Sequence, residues 1–206
     1  PSMHFKAERR VLLRQDPSLR SLFSETDFSL FTVKRSELYP ALVRAIAHQM
    51  VHGNAAKACL KRLAECASVR PRRGLLVPPP AALAHLTRAD IRNCGFSENK
   101  AQAIFELTQK ACAGGIPTTR TLEQMSDADI VRLLIPLRGV GKWTVEMYLI
   151  FSLGRKVVFP VDDFGVREGY RLWKGERKQR KPQYLRGRAR KWSPYSTLVA
   201  RALWQC

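Results

Sequence analysis

The sequence is short of acid, short of cysteine and without a long apolar run, and each shortage removes a class of protein. Seventeen Asp and Glu stand against 36 Lys and Arg in 206 residues, a formal charge of +19. Such a surplus repels itself in the folded state unless a polyanion relieves it, so nucleic acid leads the candidate partners. The plainer reading is a generally basic, solubility-tuned surface. The five cysteines (Cys59, Cys66, Cys94, Cys112, Cys206) are odd in number and scattered, with no C-x-x-C pair. They are expected to be reduced, and their spacing supplies neither a zinc site nor four clustered iron–sulfur ligands. No stretch reaches the ~18 uninterrupted apolar residues of a membrane span. Pro1-Ser2-Met3 lacks the apolar core of a secretory signal, and Met3 is read as the native start. Cytosol with the nucleoid, or the nucleus of a eukaryote, is the expected compartment.

Strand signals are nearly absent as well, and what remains is helical. With 45% hydrophobic residues the chain can bury enough apolar surface to fold. Leu42, Val43, Ile46, Ala47, Met50 and Val51 share one helical face, with a stop expected at His52-Gly53. A helix restarts over Ala55 to Leu63. From Ala67 to Pro80 the pattern reads as a basic loop, with Arg70, Arg72 and Arg73 before three helix-breaking prolines. Thr87-x-x-Asp90 and Ser126-x-x-Asp129 have the form of N-terminal caps. Between them Ala101, Ile104, Phe105, Thr108, Ala111 and Cys112 form a stripe ended by Gly114-Gly115. The fold class is therefore all-α.

The sharpest local pattern is Leu137-Arg138-Gly139-Val140-Gly141-Lys142-Trp143-Thr144, between a capped helix and a second apolar stripe at Trp143, Met147, Ile150 and Phe151. Glycines two apart admit positive φ and let a phosphate reach bare backbone, while the following helix aims its positive end at that phosphate. The same pattern also serves as a tight turn between helices. Downstream, Asp162 and Asp163 follow Pro160, and either suits a helix N-cap.

Together these segments resemble the helix-hairpin-helix DNA glycosylases, in particular the alkylpurine branch typified by bacterial 3-methyladenine DNA glycosylase II. In that family a hairpin L-x-G-V-G-x-x-T-A is followed about twenty residues later by a Pro-rich segment with one essential aspartate. Here Val158 to Arg167 is that segment, and Asp163 lies 22 residues after Gly141. Ile46-Ala47-His48-Gln49-Met50, Cys94-Gly95-Phe96-Ser97-x-x-Lys100-Ala101, and Trp192-Ser193-Pro194-Tyr195 through Trp204 match three further stretches, so the likeness runs from about Leu42 to Trp204.

The resemblance implies a function and a site. The implied reaction is hydrolysis of the N-glycosidic bond of an alkylated purine in duplex DNA after base flipping, with Asp163 stabilising the cationic sugar and orienting water. Trp143, Met147 and Trp204 fall at base-pocket positions, although the family often has tyrosine where Met147 stands. Gln49 and Met50 fall at the wedge that fills the gap in the stack. Gly139, Gly141, Lys142 and Thr144 are the expected phosphate contacts. Bifunctional relatives carry a lysine nucleophile as G-V-G-x-K; here Trp143 holds that position and Lys142 lies ~100° around the helix, so no lyase activity is expected. No metal ligand and no cofactor is expected, apart from a structural monovalent cation implied at the hairpin carbonyls. His48 and His52 depart from the family and are given no chemistry. The implied partner is damaged double-stranded DNA, bound by a monomer away from membranes.

Two helical subdomains are expected, 38–155 with the hairpin, and 1–37 plus 156–206 with the aspartate, and the resemblance puts the active cleft between them. The polybasic stretch from Arg171 to Lys191 reads as an insert, part of it a mobile loop, that either grips flanking phosphates or is a solvated face. Two other functions stay open: a glycosylase for deaminated or etheno bases, and a non-catalytic module that binds DNA structures.

Overall fold

The structure is a computed structural model that describes residues 5–33, 35–51, 53–69 and 77–206. His52, the loop arginines Arg70, Arg72 and Arg73, and the start at Pro1 to Met3 lie outside the described residues. Among the described residues there are helices and no strands, and no helix is long and apolar enough to cross a membrane. Two units divide the chain: Pro1–Lys34 with Leu149–Cys206, and Arg35–Tyr148.

In chain order the helices are α1 (Lys6–Gln15), α2 (Leu19–Glu25), α3 (Leu38–His48), α4 (Gly53–Cys66), α5 (Pro80–Leu83), α6 (Arg88–Asn93) and α7 (Glu98–Cys112). There follow α8 (Thr119–Glu123), α9 (Asp127–Leu134), α10 (Lys142–Phe151), α11 (Phe164–Lys174), α12 (Pro182–Lys191) and α13 (Ser196–Leu203). A 3-10 turn, Phe28–Leu30, follows α2.

In the Arg35–Tyr148 unit, α3 packs on α4 and α7, and α7 on α5 and α6. Local caps start several of these helices. At α6 Thr87 and Asp90 form the full reciprocal box, and at α9 the Ser126 hydroxyl accepts from the Asp129 amide. Pro80 opens α5 at its first position, so the expected loop stops at Pro79; a proline there forgoes only an amide that the helix would leave unbonded. The end of α3 also differs from expectation. The helix stops at His48, and Met50, not a glycine, takes the left-handed conformation with φ 55°. Only Leu42, Val43, Ile46 and Ala47 of the expected stripe are buried, while Met50 and Val51 are exposed. The cause is distant in sequence: the Lys100 ammonium donates to the carbonyls of Ala47 at 3.0 Å and Gln49 at 2.6 Å, which ends the helix at that point.

The other unit has its own core, in which Leu12, Leu19, Leu22, Phe23, Phe28 and Phe31 meet Val166, Tyr170, Leu185, Trp192, Val199 and Leu203. The polybasic stretch comprises the end of α11, an irregular connection over 175–181 that begins with a turn at Gly175, and all of α12. Its charges conceal two core side chains, Leu185 and Trp192 being fully buried at its end. Several of its cations are engaged: Arg180 grips Glu176 through two bonds of 2.8 Å, and Arg171 pairs with Glu168.

Asp16 fastens the N-terminal helices to α12. Its Oδ2 accepts from Arg188 Nη2 at 2.7 Å and Trp192 Nε1 at 3.0 Å, and its Oδ1 accepts from the Ser18 hydroxyl at 2.6 Å. Burial pushes this carboxyl up, but the Ser18 and Trp192 hydrogen bonds and the Arg188 charge outweigh it, and the net shift is below the ordinary 3.8. A depressed folded value gives stability that is full above 3.8 and is lost as pH falls through that lowered value. Asp16→Asn should therefore cost about 2 kcal/mol at neutral pH. Urea denaturation should show the gap to wild type closing as the pH is taken below the ordinary carboxylate range; a gap constant with pH would refute the assignment.

Candidate active site

The glycine hairpin is built by α9, the turn at 135–141, and α10. Gly139 is required there twice over: its φ is 74°, and a Cβ would stand 2.7 Å from the Ala103 Cβ. Gly141 is different. Its φ is not positive and a Cβ would meet nothing within 4 Å, so nothing inside the chain demands glycine at this position. What it leaves is bare backbone at the start of α10, where the Gly141 carbonyl takes the first helical bond from the Val145 amide and the positive end of the helix dipole lies.

The hairpin is braced from α3. Gln49 Nε2 donates to the Gly139 carbonyl at 2.9 Å and to Thr144 Oγ1 at 3.1 Å. The Gln49 carbonyl is in turn held by Lys100. Both amide hydrogens of Gln49 are thus committed to the turn, and Met50, fully exposed, is the side chain that projects at this corner. Thr144 is 1% exposed and its hydroxyl accepts from Gln49, so its side chain supports the hairpin from within. Lys142 Nζ lies 3.6 Å from Glu146 Oε1, one turn along α10. Trp143 and Met147 are half-buried. Two of the turn's carbonyls carry one hydrogen bond each, Leu137 O from the Val140 amide and Gly139 O from Gln49, and no residue here is assigned to the implied cation. No chemistry is routed through it.

In the other unit Asp163 is the N-cap of α11, as the local reading of Pro160-Val161-Asp162-Asp163 allowed. Its Oδ1 accepts two bonds of 2.8 Å, one from the Val166 amide and one from the Trp204 indole Nε1. Asp162, its neighbour, is exposed. The indole stacks on Phe151, with ring centroids 5.6 Å apart and planes 26° from parallel. Two glycines permit this. A Cβ on Gly165 would lie 2.8 Å from Trp204 Cδ1, and one on Gly169 only 1.9 Å from the Leu203 carbonyl oxygen. Hence α11 and α13 pack backbone to backbone, which delivers Trp204 to the cap.

Of the expected residues, the structure brings Asp163 together with Trp204, and Gln49 with Gly139 and Thr144. Sequence reasoning missed Lys100 as the brace of the corner, Phe151 as the stacking partner, and Phe164, an aromatic 71% exposed directly after Asp163. The Gly165-x-x-x-Gly169 spacing was the available signal for the close helix pair.

A family model described as "HhH-GPD superfamily base excision DNA repair protein" matches residues 43–194. The chain belongs to this superfamily. Among curated relatives, DNA-3-methyladenine glycosylase 1 of Schizosaccharomyces pombe is 32% identical over 174 residues, 84% of this chain and 74% of that protein. A Bacillus subtilis relative named putative DNA-3-methyladenine glycosylase YfjP is 29% identical over 91% of this chain and 65% of its own length. Among solved structures, S. pombe 3-methyladenine DNA glycosylase (Mag1) in complex with abasic DNA superposes with a TM-score of 0.83 at 30% identity, covering 97% of this chain and 95% of that one.

Burial pushes the Lys100 ammonium below its ordinary range, so its two carbonyl bonds must offset a desolvation cost. Lys100→Met keeps the stem and removes both donors. It should lower stability by about 1–3 kcal/mol and speed amide exchange at residues 49–51; unchanged exchange there would show that the corner does not depend on Lys100.

Proposed function

We propose that this HhH-GPD protein is a monofunctional DNA glycosylase that hydrolyses the N-glycosidic bond of alkylated purines, of the 3-methyladenine type, in duplex DNA. Superfamily membership and the names of its relatives support a DNA glycosylase; the observation that carries the site is the Asp163 carboxylate, held through one oxygen by the Val166 amide and the Trp204 indole.

In the proposed mechanism the Gly139–Gly141 turn and the start of α10 hold a phosphate through backbone, while Met50 enters the stack that the flipped nucleotide leaves. Gln49 keeps that corner fixed to the hairpin. The flat faces of Trp143 and Trp204, with Met147, are assigned to the base, where stacking on a cationic purine is worth up to ~2 kcal/mol when desolvated. The C1′–N bond breaks and its electron pair leaves with the base, so an alkylated purine departs neutral and the sugar becomes cationic. Asp163 stabilises that cation, and water adds at C1′ and gives up its proton to the carboxylate.

Asparagine at 163 keeps an oxygen for both donors and removes only the charge, which separates chemistry from folding. Asp163→Asn should bind methylated duplex within about threefold of wild type while releasing free base at least ~10²-fold more slowly. Base release by the variant at the wild-type rate would refute the assignment. Absence of release by wild type on methylated duplex, with release of deaminated or etheno bases, would redirect the substrate; release of neither would favour a binding module.

The lack of lyase chemistry is supported by Trp143 at the nucleophile position and by the pairing of Lys142 with Glu146. Borohydride treatment during turnover should trap no protein–DNA adduct, and an adduct lost on Lys142→Gln would overturn this part of the reading.

A further inference from the structure

The charge surplus gathers in a place that the hairpin does not explain. Between α1 and α2 an open groove of about 460 Å³ is lined by Lys6, Arg9, Arg10, Leu13, Arg14 and Arg20, five cations and no acid. The nearby carboxylates are committed elsewhere. Glu8, ~200° around α1 from Lys6 and from Arg10, pairs with Lys156 at 3.2 Å, and Asp16 is held by Arg188, Trp192 and Ser18. Arg9 is fixed in the groove wall by its guanidinium, 4.3 Å from the centre of the Phe28 ring. Lys6, Arg10, Arg14 and Arg20 are exposed. Nothing in the core asks for these four charges, and their mutual repulsion costs stability until an anion enters.

We propose that this groove is a second seat for the sugar-phosphate backbone of duplex DNA, built from residues separate from the glycine hairpin. The proposal rests on the glycosylase reading only in taking DNA as the partner. Three features select the duplex backbone. Lys6, Arg10 and Arg14 follow i, i+4, i+8 on one rigid helix and form a row ~12 Å long, which spans several phosphates of one strand. Three of the four exposed cations are arginines, whose planar fork matches phosphate oxygens. Among the described residues the groove lining also includes no aromatic ring on which the bases of a single strand would stack. A contact of this kind is independent of sequence and lesion. It holds the protein on undamaged DNA during search and leaves the chemical step unaltered.

The test is the salt dependence of binding of the full-length chain to a labelled, undamaged duplex, for wild type and for R10S/R14S. Two lost phosphate contacts should reduce the slope of log K against log[salt] by about 1.8, and should weaken binding about 60-fold at 0.1 M salt. Single-turnover base release on saturating methylated duplex should be unchanged. If the double variant loses helicity, the single R14S, at an exposed position near the end of α1, should still reduce the slope by about 0.9. An unchanged slope would overturn the proposal, as would a loss confined to single strands or RNA of equal length. Failure of the glycosylase reading would look different: wild type would release no base, yet the difference in slope between wild type and variant would remain.

Discussion

One oxygen with two donors organises the candidate chemistry. Asp163 Oδ1 caps α11 through Val166 and takes the indole N–H of Trp204 from the residue after α13. For both bonds to form, α11 and α13 must approach until their backbones touch, and Gly165 and Gly169 leave the room. The carboxylate is therefore oriented by a helix terminus and by a ring that is itself stacked on Phe151. A capping aspartate alone would be ordinary. What distinguishes this one is that the second donor comes from 41 residues away, so its position is set by tertiary packing and not by the local turn.

The hairpin shows the same division between local and distant causes. Its glycines and the helices on either side can be read from adjacent residues. Its rigidity cannot, because it comes from Gln49, which connects the end of α3 to the hairpin through two hydrogen bonds, and from Lys100, which holds that end from α7 through two more. A phosphate seat made of backbone needs such bracing, since backbone groups bind strongly only when they are already pointed at the ligand. Burial of Thr144 belongs to this brace.

This contrast marks what was legible in the sequence. The caps at Thr87 and Ser126, the glycine at 139 and the all-helical class follow from residues within one turn of each other, and the structure contains them. The end of α3 was misplaced because Lys100, fifty residues on, decides it. The polybasic stretch was read as an insert because ten cations mask Leu185 and Trp192, whose burial depends on α1 and α2. Pairing of Asp163 with Trp204 left no local trace beyond the two glycines that allow it.

Charge closes the account. The acids of this chain are largely spent on architecture: Asp163 caps α11, Asp90 completes the box at α6, Asp129 holds the Ser126 hydroxyl that caps α9, Asp16 ties α1 to α12, and Glu8, Glu168 and Glu176 pair with cations. Exposed pairs of this kind add little stability, but they decide where the surplus positive charge is left, and Asp163 carries the further consequence. Its Oδ1 works as an acceptor for two N–H groups, so on the proposed reading that oxygen supplies no proton to a departing base. A neutral purine would need such a proton from elsewhere, whereas a purine already made cationic by alkylation does not.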